Sequence, residues 1–595
     1  MKPKGPLRVA RVRSSWERAD GTTGSHESVL LRQSWRDGKQ VKHETVLSLT
    51  GQPKDLVDSL EQVLNHGARP AGEGPGPGDV VLGRGLRHGD VAAVWQQARL
   101  IGLPQTIGPA GRPRDIVLGL IAARICQPAS KSAQTLWWDD TTLAEDAGLA
   151  GVSTDEVYEA MDWLQARKTQ VEKNLAARWL SDRESNPAGL VLYDLTSTWM
   201  EGSHCELAKH GYSRDGKRSL PQIEFAFLAN PDGIPVALRL FAGNTADPEA
   251  CKQAITAAKT EFGMDHVALV GDRGMVTGTR IDDLKKDGME WIGALKHAQI
   301  AGLIKAGDLE PSLFDEEGIA AIESPDYPGE RLICCRNPAR GEKDKAVREK
   351  LLRLTLELLD EKIAARLERG TLKGEGPVME QVGKHLNRYK VGRLINVEYR
   401  DGALEYGRDQ AAVRQAEQLD GLYAIRTNLP PDAMTDRQVL AGYKSLSGVE
   451  KDFAWVKGID CQVRPIRHWK ADRVEAHLMI CQLAAIVAWH LRRAWAPLTY
   501  RDETPPAPAD STPVHPAQRS PQATLKARTR TTGDGRPAHT FHSLLTHLGT
   551  LQRVPVTIPT PAGPITTCQL TDADPITRQA FHLIGARLPI TLPRP

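Results

Sequence analysis

The sequence predicts an α/β protein in which helices cover a mixed β-sheet. Two apolar, β-branched runs of strand length, residues 190–198 and 266–274, each contain one aspartate. Two further strand-like runs, residues 223–230 and 234–243, are joined by a Pro-Asp-Gly tight-turn sequence, which predicts an antiparallel hairpin. Strands that alternate with helical patterns are typical of a layered α/β domain.

The remaining elements of this region follow the same alternation. Residues 248–262 and 278–288 have helical patterns, and residues 291–295 are predicted to form another strand. The pattern resumes with a strand at 421–428, followed by helices at 435–455 and 471–493. We therefore expect one sheet domain in two sequence segments, 186–300 and 416–495.

Composition narrows the class of protein. The chain has 595 residues, which is too long for one core, and a net charge of only +3, so the overall charge does not indicate a nucleic-acid partner. Eight cysteines without a C-x-x-C pair indicate reduced thiols and no structural zinc.

No apolar signal-peptide run follows the N-terminus, and the most apolar segment, 476–491, is too short to span a membrane. We expect a cytoplasmic protein.

Two units are predicted before the sheet domain. Residues 1–67 alternate apolar and polar side chains and then end in a short helix, which predicts a small, basic, β-rich unit. A Gly/Pro-rich linker follows. Residues 80–185 have helical patterns with scattered basic residues, and basic helix faces can lie on DNA phosphates. We expect a helical DNA-binding region there, although a solvated face is the alternative for any one of these basic residues. The basic residues are Arg112, Arg114, Arg124, Lys131, Arg167, Lys168 and Lys173.

The other two predicted units interrupt and follow the sheet domain. Residues 301–415 are expected to form an inserted α+β subdomain with a long charged helix, 342–369, whose apolar stripe includes Val347 and Leu351. Residues 496–595 are expected to be a partly disordered tail, because 502–538 is rich in Pro, Thr, Ser and Arg.

Three carboxylates form the candidate site. Asp194 and Asp272 lie in the two buried strand patterns, where a charge is costly unless a partner such as a metal ion compensates it. Glu450 follows Tyr443 by seven residues and precedes Lys457 by seven. Over two heptads, the rotation around a helix axis comes within about 40° of a whole number of turns. The three side chains therefore share one face if the helix is continuous. Glu450 then binds metal, while Lys457 and Tyr443 hold phosphate oxygens.

Each carboxylate also has a simpler interpretation. Asp194 can cap a turn with Thr196 or Ser197, and Asp272 can be an ordinary turn aspartate. Ser447-x-x-Glu450 matches a capping box, in which Glu450 closes the start of a new helix and the helix is not continuous. The joint occurrence of all three, in order on strand, strand and helix, favours the site.

The pattern resembles the DDE transposases of bacterial insertion sequences, in the group marked by a Y-x2-R-x3-E-x6-K signature. The motifs that carry the resemblance are residues 193–198, 270–275 and 443–457, with further similarity at 464–469 and 473–477. Leu446 stands where the signature has arginine, which removes one expected phosphate contact.

The resemblance implies an RNase H-like catalytic core. Asp194, Asp272 and Glu450 would be both the catalytic residues and the ligands of two Mg²⁺ ions, with Mn²⁺ as an alternative ion. The activity implied is metal-dependent DNA cleavage and strand transfer at the ends of an insertion sequence. The N-terminal region would recognise terminal inverted repeats in double-stranded DNA, and a homodimer would pair the two ends before they join target DNA.

Two more residues are candidates for DNA contacts, and two other functions remain as alternatives. Arg273 and Lys296, close to the ends of the catalytic strands, are candidates for phosphate contacts. A catalytically inactive, transposase-derived DNA-binding protein is the main alternative function. A metal-dependent phosphoesterase for small molecules is the third, and it would bind duplex DNA only weakly and with little salt dependence.

Overall fold

The structure is a computed structural model, and it divides the chain into two compact units. One comprises Met1–Gln97, Thr135–Gly151 and Leu491–Arg594, and the other comprises Ala98–Gln134 and Val152–His490. The residues that the structure describes are 7–17, 23–37, 40–66, 80–180, 189–202, 204–245, 260, 268–271, 281, 284–285, 289–310, 318–458, 460–502, 519–560 and 563–594.

Seventeen strands lie in the described residues. They are β1 Leu7–Glu17, β2 Thr23–Asp37, β3 Gln40–Ser48, β4 Val81–Leu82, β5 Leu86–Arg87, β6 Leu190–Trp199, β7 Gln222–Ala229, β8 Pro235–Ala242, β9 Ala268–Val270, β10 Glu290–Ala294, β11 Ile319–Ile322, β12 Arg331–Arg336, β13 Ile395–Arg400, β14 Ala403–Arg408, β15 Leu422–Thr427, β16 Gln552–Thr560 and β17 Gly563–Leu570.

The helices in the same residues are numbered α1 to α18. They are α1 Lys54–His66, α2 Gly89–Leu100, α3 Leu103–Ile107, α4 Arg112–Cys126, α5 Lys131–Trp138, α6 Leu143–Asp146, α7 Thr154–Ala166, α8 Lys168–Trp179, α9 His297–Ala306, α10 Pro338–Leu359, α11 Ala365–Glu368, α12 Glu375–Arg388, α13 Gln410–Gln418, α14 Asp436–Lys457, α15 Ala471–Ala494, α16 Pro521–Thr529, α17 Phe541–Leu548 and α18 Pro575–Leu583. The predicted helices at 248–262 and 278–288 fall almost entirely outside the described residues.

The first unit contains two small sheets. β1, β2 and β3 form an antiparallel sheet, and α1 packs on β1, where Arg11 makes ion pairs with Asp58 and Glu61 at 2.6 and 3.1 Å. In the second sheet β16 pairs with β17, β4 and β5. The alternation of apolar and polar residues near the N-terminus thus forms strands, as the sequence pattern predicts.

The C-terminal residues differ from the expected tail. Residues 519–560 and 563–594 contain three helices and a hairpin, and the Arg553 guanidinium, which is buried, makes ion pairs with Glu145 and Asp146 at 2.6 and 2.7 Å. The predicted disorder was based on the Pro-rich composition of this segment. Composition does not reveal ion pairs with residues more than 400 positions earlier in the chain. Of the predicted disordered segment, residues 503–518 lie outside the described part of the structure.

The second unit is organised around an eight-stranded mixed sheet, counted over the described residues. Its strand order is β11-β12-β15-β10-β9-β6-β7-β8. The three strands β6, β9 and β10 are parallel to one another, whereas β7, β8, β12 and β15 pair antiparallel with their neighbours. The carboxyl ends of the three parallel strands therefore point toward the same edge of the sheet.

The inserted subdomain is shorter than the sequence predicts. β11 and β12, which lie inside the predicted insertion of 301–415, belong to the main sheet, because β12 pairs with β15 along its whole length. The insertion proper lies between β12 and β15. It has its own apolar core, formed by α10, a π-helical segment at Asp360–Ala364, α12, α13 and the β13–β14 hairpin.

The apolar stripe predicted on the long helix matches the buried face only in part, since Leu351 packs against the core of the insertion. Val347 is 55% exposed, whereas Leu352 and Leu359 are fully buried in the core of the insertion. The difference is possible because leucines occupy several adjacent positions in this helix, so that the sequence offers more than one apolar stripe.

The helices before the sheet carry fewer free basic residues than the sequence suggests. Arg114, Arg124 and Lys131 are buried, Lys168 makes an ion pair with Glu475 at 2.5 Å, and Arg167 donates to the carbonyl of Ile107. Arg114, Arg124 and Lys131 are thus shielded from solvent, whereas Arg167 and Lys168 are partly buried and paired within the fold. Arg112 and Lys173 are exposed.

One helix of the described residues is long and apolar enough to cross a membrane by length and composition. This is α15, and 83% of its most apolar window is buried inside the protein. The apolar segment 476–491 thus belongs to a helix that is longer than this apolar pattern suggests. Such burial is typical of a core helix.

A cluster of basic groups is buried near α15 in the second unit. His477 Nε2 donates to the carbonyl of Val463 at 3.1 Å, so that its Nδ1 accepts from the Lys131 ammonium at 3.4 Å and the imidazole is neutral. Burial, together with the cations Lys131 and Arg124, holds the pKa of His477 well below its usual value. Burial and the same cations, with Arg473, lower the pKa of His468 to about 3.

These two histidines predict sensitivity to mild acid. The unfolded chain binds protons at both sites below about pH 6.5, while the folded protein does not until far lower pH, so stability falls as the pH falls from about 6.5 toward 3. The slope is at most about 1.4 kcal/mol per pH unit for each histidine. Urea unfolding at pH 7, 6 and 5 measures it. The double variant His468→Gln/His477→Gln is expected to have a shallower slope, and an unchanged slope would contradict the assignment.

Candidate active site

Asp194 is half-buried in a strand whose other residues, apart from Trp199 at its end, are buried. Its neighbours in β6 from Leu190 to Leu195 are fully buried, and its Oδ1 accepts the backbone N–H of Leu195 at 2.9 Å. β6 lies between β7, which is antiparallel, and β9, which is parallel. The strand thus fixes this carboxylate within the sheet, at a partly solvated position.

The register between β6 and β9 relates the two predicted aspartates. Leu192 pairs with Val270, and each of these residues comes two positions before an aspartate in the sequence. Asp272 and Arg273 themselves lie outside the described residues, so their placement stays a prediction.

Glu450 lies in the middle of a continuous helix. α14 runs from Asp436 to Lys457 and begins with a capping box formed by Thr435 and Gln438. The alternative in which Ser447 and Glu450 cap a new helix is therefore wrong, because the chain is already helical through both residues. Glu450 is exposed and Tyr443 is half-buried.

The face of β6 that carries Asp194 is the face covered by α14. Successive residues of a strand point to opposite faces, so Leu190, Asp194 and Thr196 share one. A Cβ on Gly442 would meet Leu190 Cδ1 at 2.9 Å, and Lys457 Nζ donates to Thr196 Oγ1 at 2.8 Å. The helix therefore lies along this face from one end of the strand toward the other.

Aromatic stacking fixes the helix between those two contacts. The Phe453 ring stacks on Phe227 with 4.8 Å between centroids, and it meets Phe225 edge-on at 5.5 Å. Phe227 is the residue directly opposite Asp194 in the β6–β7 ladder. The middle of α14 is thereby held beside the strand position that carries the carboxylate.

The geometry of a regular helix then places Glu450. Tyr443, Glu450 and Lys457 project about 60–100° to one side of Gly442 around the helix axis. From the Gly442–Leu190 contact, Glu450 is about 12 Å along the helix and Asp194 about 13 Å along the strand. Glu450 thus belongs to the helix flank that Lys457 occupies, at a level close to that of Asp194.

Leu446 occupies the position where the expected signature has arginine. It is 7% exposed and lies on the sheet-facing side of α14. An apolar side chain contributes to the core at this position, where a guanidinium would be costly to bury.

Lys457 is held by groups that its sequence pattern does not reveal. Its ammonium makes an ion pair with Asp215 at 2.7 Å, and Arg464 makes a second ion pair with the same carboxylate at 2.6 Å. Burial lowers the pKa of Lys457, with further lowering from Arg464 and Arg214, while Asp215 opposes the shift. The Ser213-Arg214-Asp215-Gly216 stretch signals only a turn, so the sequence contained no indication of this contact.

Lys296 lies at the expected edge of the sheet. It is exposed and follows the carboxyl end of β10, which is parallel to β9, and its backbone N–H donates to Gln299 at the start of α9. The parallel strands therefore bring Lys296 to the edge toward which β6 and β9 also run.

The side chains suit a divalent metal by their chemistry. Carboxylate oxygens such as those of Asp194 and Glu450 are the hard donors that Mg²⁺ and Mn²⁺ prefer. Among the described residues, no group of three or more His, Cys, Asp or Glu side chains converges to hold a metal. Asp272, the third predicted ligand, lies outside those residues, so the complete set remains a prediction.

Comparison with known proteins identifies the family of this region. One solved structure with similarity is described as the cryo-EM structure of the piggyBac transposase synaptic complex with hairpin DNA. It is 7% identical, with 67% of this chain and 71% of that chain covered and a TM-score of 0.30, too low to establish a shared fold. No curated protein matches. The sequence profile of the transposase DDE domain matches residues 189–487, which is half of the chain and includes β6, β9 and α14. The chain belongs to the transposase DDE domain family.

Proposed function

We propose that this protein is an active DDE transposase that cleaves DNA at the ends of an insertion sequence and transfers the strands to target DNA. The observation that carries the proposal is the placement of Glu450 and Lys457 on one flank of a helix that covers the Asp194 face of β6. Membership of the transposase family supports it. The YREK-signature group, with Leu446 in place of its arginine, is the proposed subgroup.

Asp194, Asp272 and Glu450 are proposed as the catalytic carboxylates and as ligands of two Mg²⁺ ions. Ions held there would supply activation of a water or 3′-hydroxyl and stabilisation of the leaving 3′-oxygen in an in-line displacement at phosphorus. Lys457 and Tyr443, on the Glu450 flank of α14, are proposed to bind phosphate oxygens, and Arg273 and Lys296 are proposed to contact the DNA backbone.

The remaining proposals concern the roles of the domains, the oligomeric state and the location of the protein. The main sheet, with α14 against it, is proposed as an RNase H-like core in two segments, and the N-terminal β-rich unit and helices as the part that recognises terminal inverted repeats. Of the predicted basic residues in those helices, Lys173 and Arg112 are exposed, and Arg112 makes an ion pair with Glu156 at 3.2 Å. We propose these two for contacts with DNA. We further propose a homodimer in the DNA complex and a cytoplasmic location.

Cleavage of DNA that carries both ends of the element, with Mg²⁺ and with EDTA, tests the function. Glu450→Gln is expected to lower the single-turnover rate by about 10³-fold, because a metal ligand contributes several kcal/mol to the transition state. Lys451→Gln is the matched control: it is exposed on the same helix but projects about 180° from Gly442, away from the sheet.

The outcomes separate the competing functions. Equal cleavage by wild type and Glu450→Gln would contradict the assigned site. If the wild type binds the end DNA without cleaving it in Mg²⁺ or Mn²⁺, the inactive DNA-binding alternative gains. Weak and nearly salt-independent DNA binding would instead favour a small-molecule phosphoesterase.

A further inference from the structure

The carboxylate of Asp215 joins two cations next to the candidate site. One of its oxygens, Oδ1, accepts from Lys457 Nζ at 2.7 Å and from Arg464 at 2.6 Å. The Asp215 side chain is 8% exposed and the Lys457 side chain 12%. Ion pairs this well shielded from water are strong enough to orient the groups that form them.

The turn that carries Asp215 is attached to the catalytic strand. The Arg214 backbone N–H donates to Ser197 Oγ at 2.9 Å, and Ser213 Oγ accepts the N–H of Lys217 at 3.0 Å. Gly211, just before the turn, lies so close to the backbone of Gly243 that a Cβ would come within 1.8 Å of its carbonyl oxygen. Asp215 is therefore held in place relative to β6.

Strand β6 also contacts Lys457, the ion-pair partner of Asp215. Lys457 Nζ donates to Thr196 Oγ1, and Thr196 is the next residue after Asp194 on the same face of β6. Residues two apart on a strand are separated by about 6.6 Å. The Lys457 ammonium thus lies beside the position where the proposed function requires a DNA phosphate.

Charge explains why a carboxylate is needed there. Lys457 and Arg464 both contact one oxygen, so without the negative charge the two cations would repel each other at close range. Arg214 adds a third positive charge nearby, although its guanidinium makes an ion pair with Glu224 at 3.4 Å. The arrangement of Lys457, Arg464 and Asp215 keeps a net charge of +1 facing the site.

We infer that Asp215 is a positioning residue of the transposase reaction, which holds the Lys457 ammonium against Thr196 so that it meets the DNA phosphate bound next to Asp194. This inference rests on the proposed function. Asp215 itself does not touch DNA or metal, and it acts through Lys457. A purely structural role for the ion pairs is the alternative that the test must exclude.

The kinetic test uses Asp215→Asn in the full-length protein. We expect the single-turnover cleavage rate to fall by about tenfold or more, while affinity for end DNA stays equal or rises, because the variant carries one more positive charge. In a Lys457→Met background the same substitution is expected to have no further effect on the rate. Asp401→Asn is the control, since Asp401 is exposed in the β13–β14 turn at φ 49°, which asparagine tolerates.

A second readout does not depend on cleavage. Competitive acetylation with acetic anhydride between pH 7 and 10, quantified on the Lys457 peptide by mass spectrometry, reports the pKa of this amine. In Asp215→Asn it is expected to fall, because burial, Arg464 and Arg214 remain while the opposing carboxylate is lost. A wild type that cleaves nothing would contradict the proposed function but leave this readout intact. An unchanged Lys457 pKa, or a rate effect that is additive with Lys457→Met, would overturn the inference.

Discussion

Asp194→Asn is expected to abolish DNA cleavage without unfolding the protein. The amide retains an oxygen that can accept the Leu195 N–H, and it has nearly the same volume as the carboxylate, so β6 and its pairing with β7 and β9 are preserved. It lacks the charge that a divalent ion requires. Loss of several kcal/mol of transition-state stabilisation corresponds to a rate reduction of about 10³-fold or more.

Single-turnover cleavage and urea unfolding of the same preparation measure the two parts of this prediction. Asp232→Asn is a suitable control, because Asp232 is exposed in the β7–β8 turn of the same sheet. Cleavage at the wild-type rate by Asp194→Asn would remove the residue from the site. A large loss of stability would instead indicate that the carboxylate serves the fold.

Phe453→Ala is expected to have the largest effect on stability. Its ring is 5% exposed and packs against both Phe225 and Phe227, so truncation removes the aromatic contact and leaves a cavity between α14 and the sheet. Such substitutions cost about 3–5 kcal/mol. Because the same contact holds the Glu450 flank over β6, cleavage should also decline at temperatures where the variant is still folded.

Thermal and urea unfolding test the Phe453 prediction. Val347→Ala is the control, since Val347 is 55% exposed on α10 and its truncation should change stability by less than about 0.5 kcal/mol. If Phe453→Ala unfolds as the wild type does, the stacking on Phe227 does not fasten the helix, and the placement of Glu450 loses its main support.

Local patterns predicted the elements around the site well. The strand predicted at 190–198 is β6, the predicted hairpin is β7–β8, and the predicted helix at 435–455 is α14. In each case the period of apolar residues and the turn residues between elements are properties of neighbouring positions. Local signals did not decide whether α14 is continuous through Glu450, because the sequence matches a capping box both at Thr435 and Gln438 and at Ser447 and Glu450.

Features that depend on distant pairings were not predictable in this way. β12 joins the main sheet through β15, almost a hundred residues later, and nothing in its own sequence distinguishes it from a strand of the insertion. Arg114, Arg124 and Lys131 resemble surface residues by type, yet the fold buries them. Asp215 lies in an ordinary turn sequence, and its ion pairs with Lys457 and Arg464 arise only once the turn is attached to β6.

The central claim is that Asp194, Asp272 and Glu450 bind the same metal ions. Its most direct test is an anomalous difference map from crystals of the full-length protein bound to end DNA and soaked in Mn²⁺. We predict manganese peaks within about 2 Å of carboxylate oxygens from all three residues. Peaks that leave out Glu450 or Asp272, or a site without manganese beside Asp194, would contradict the claim.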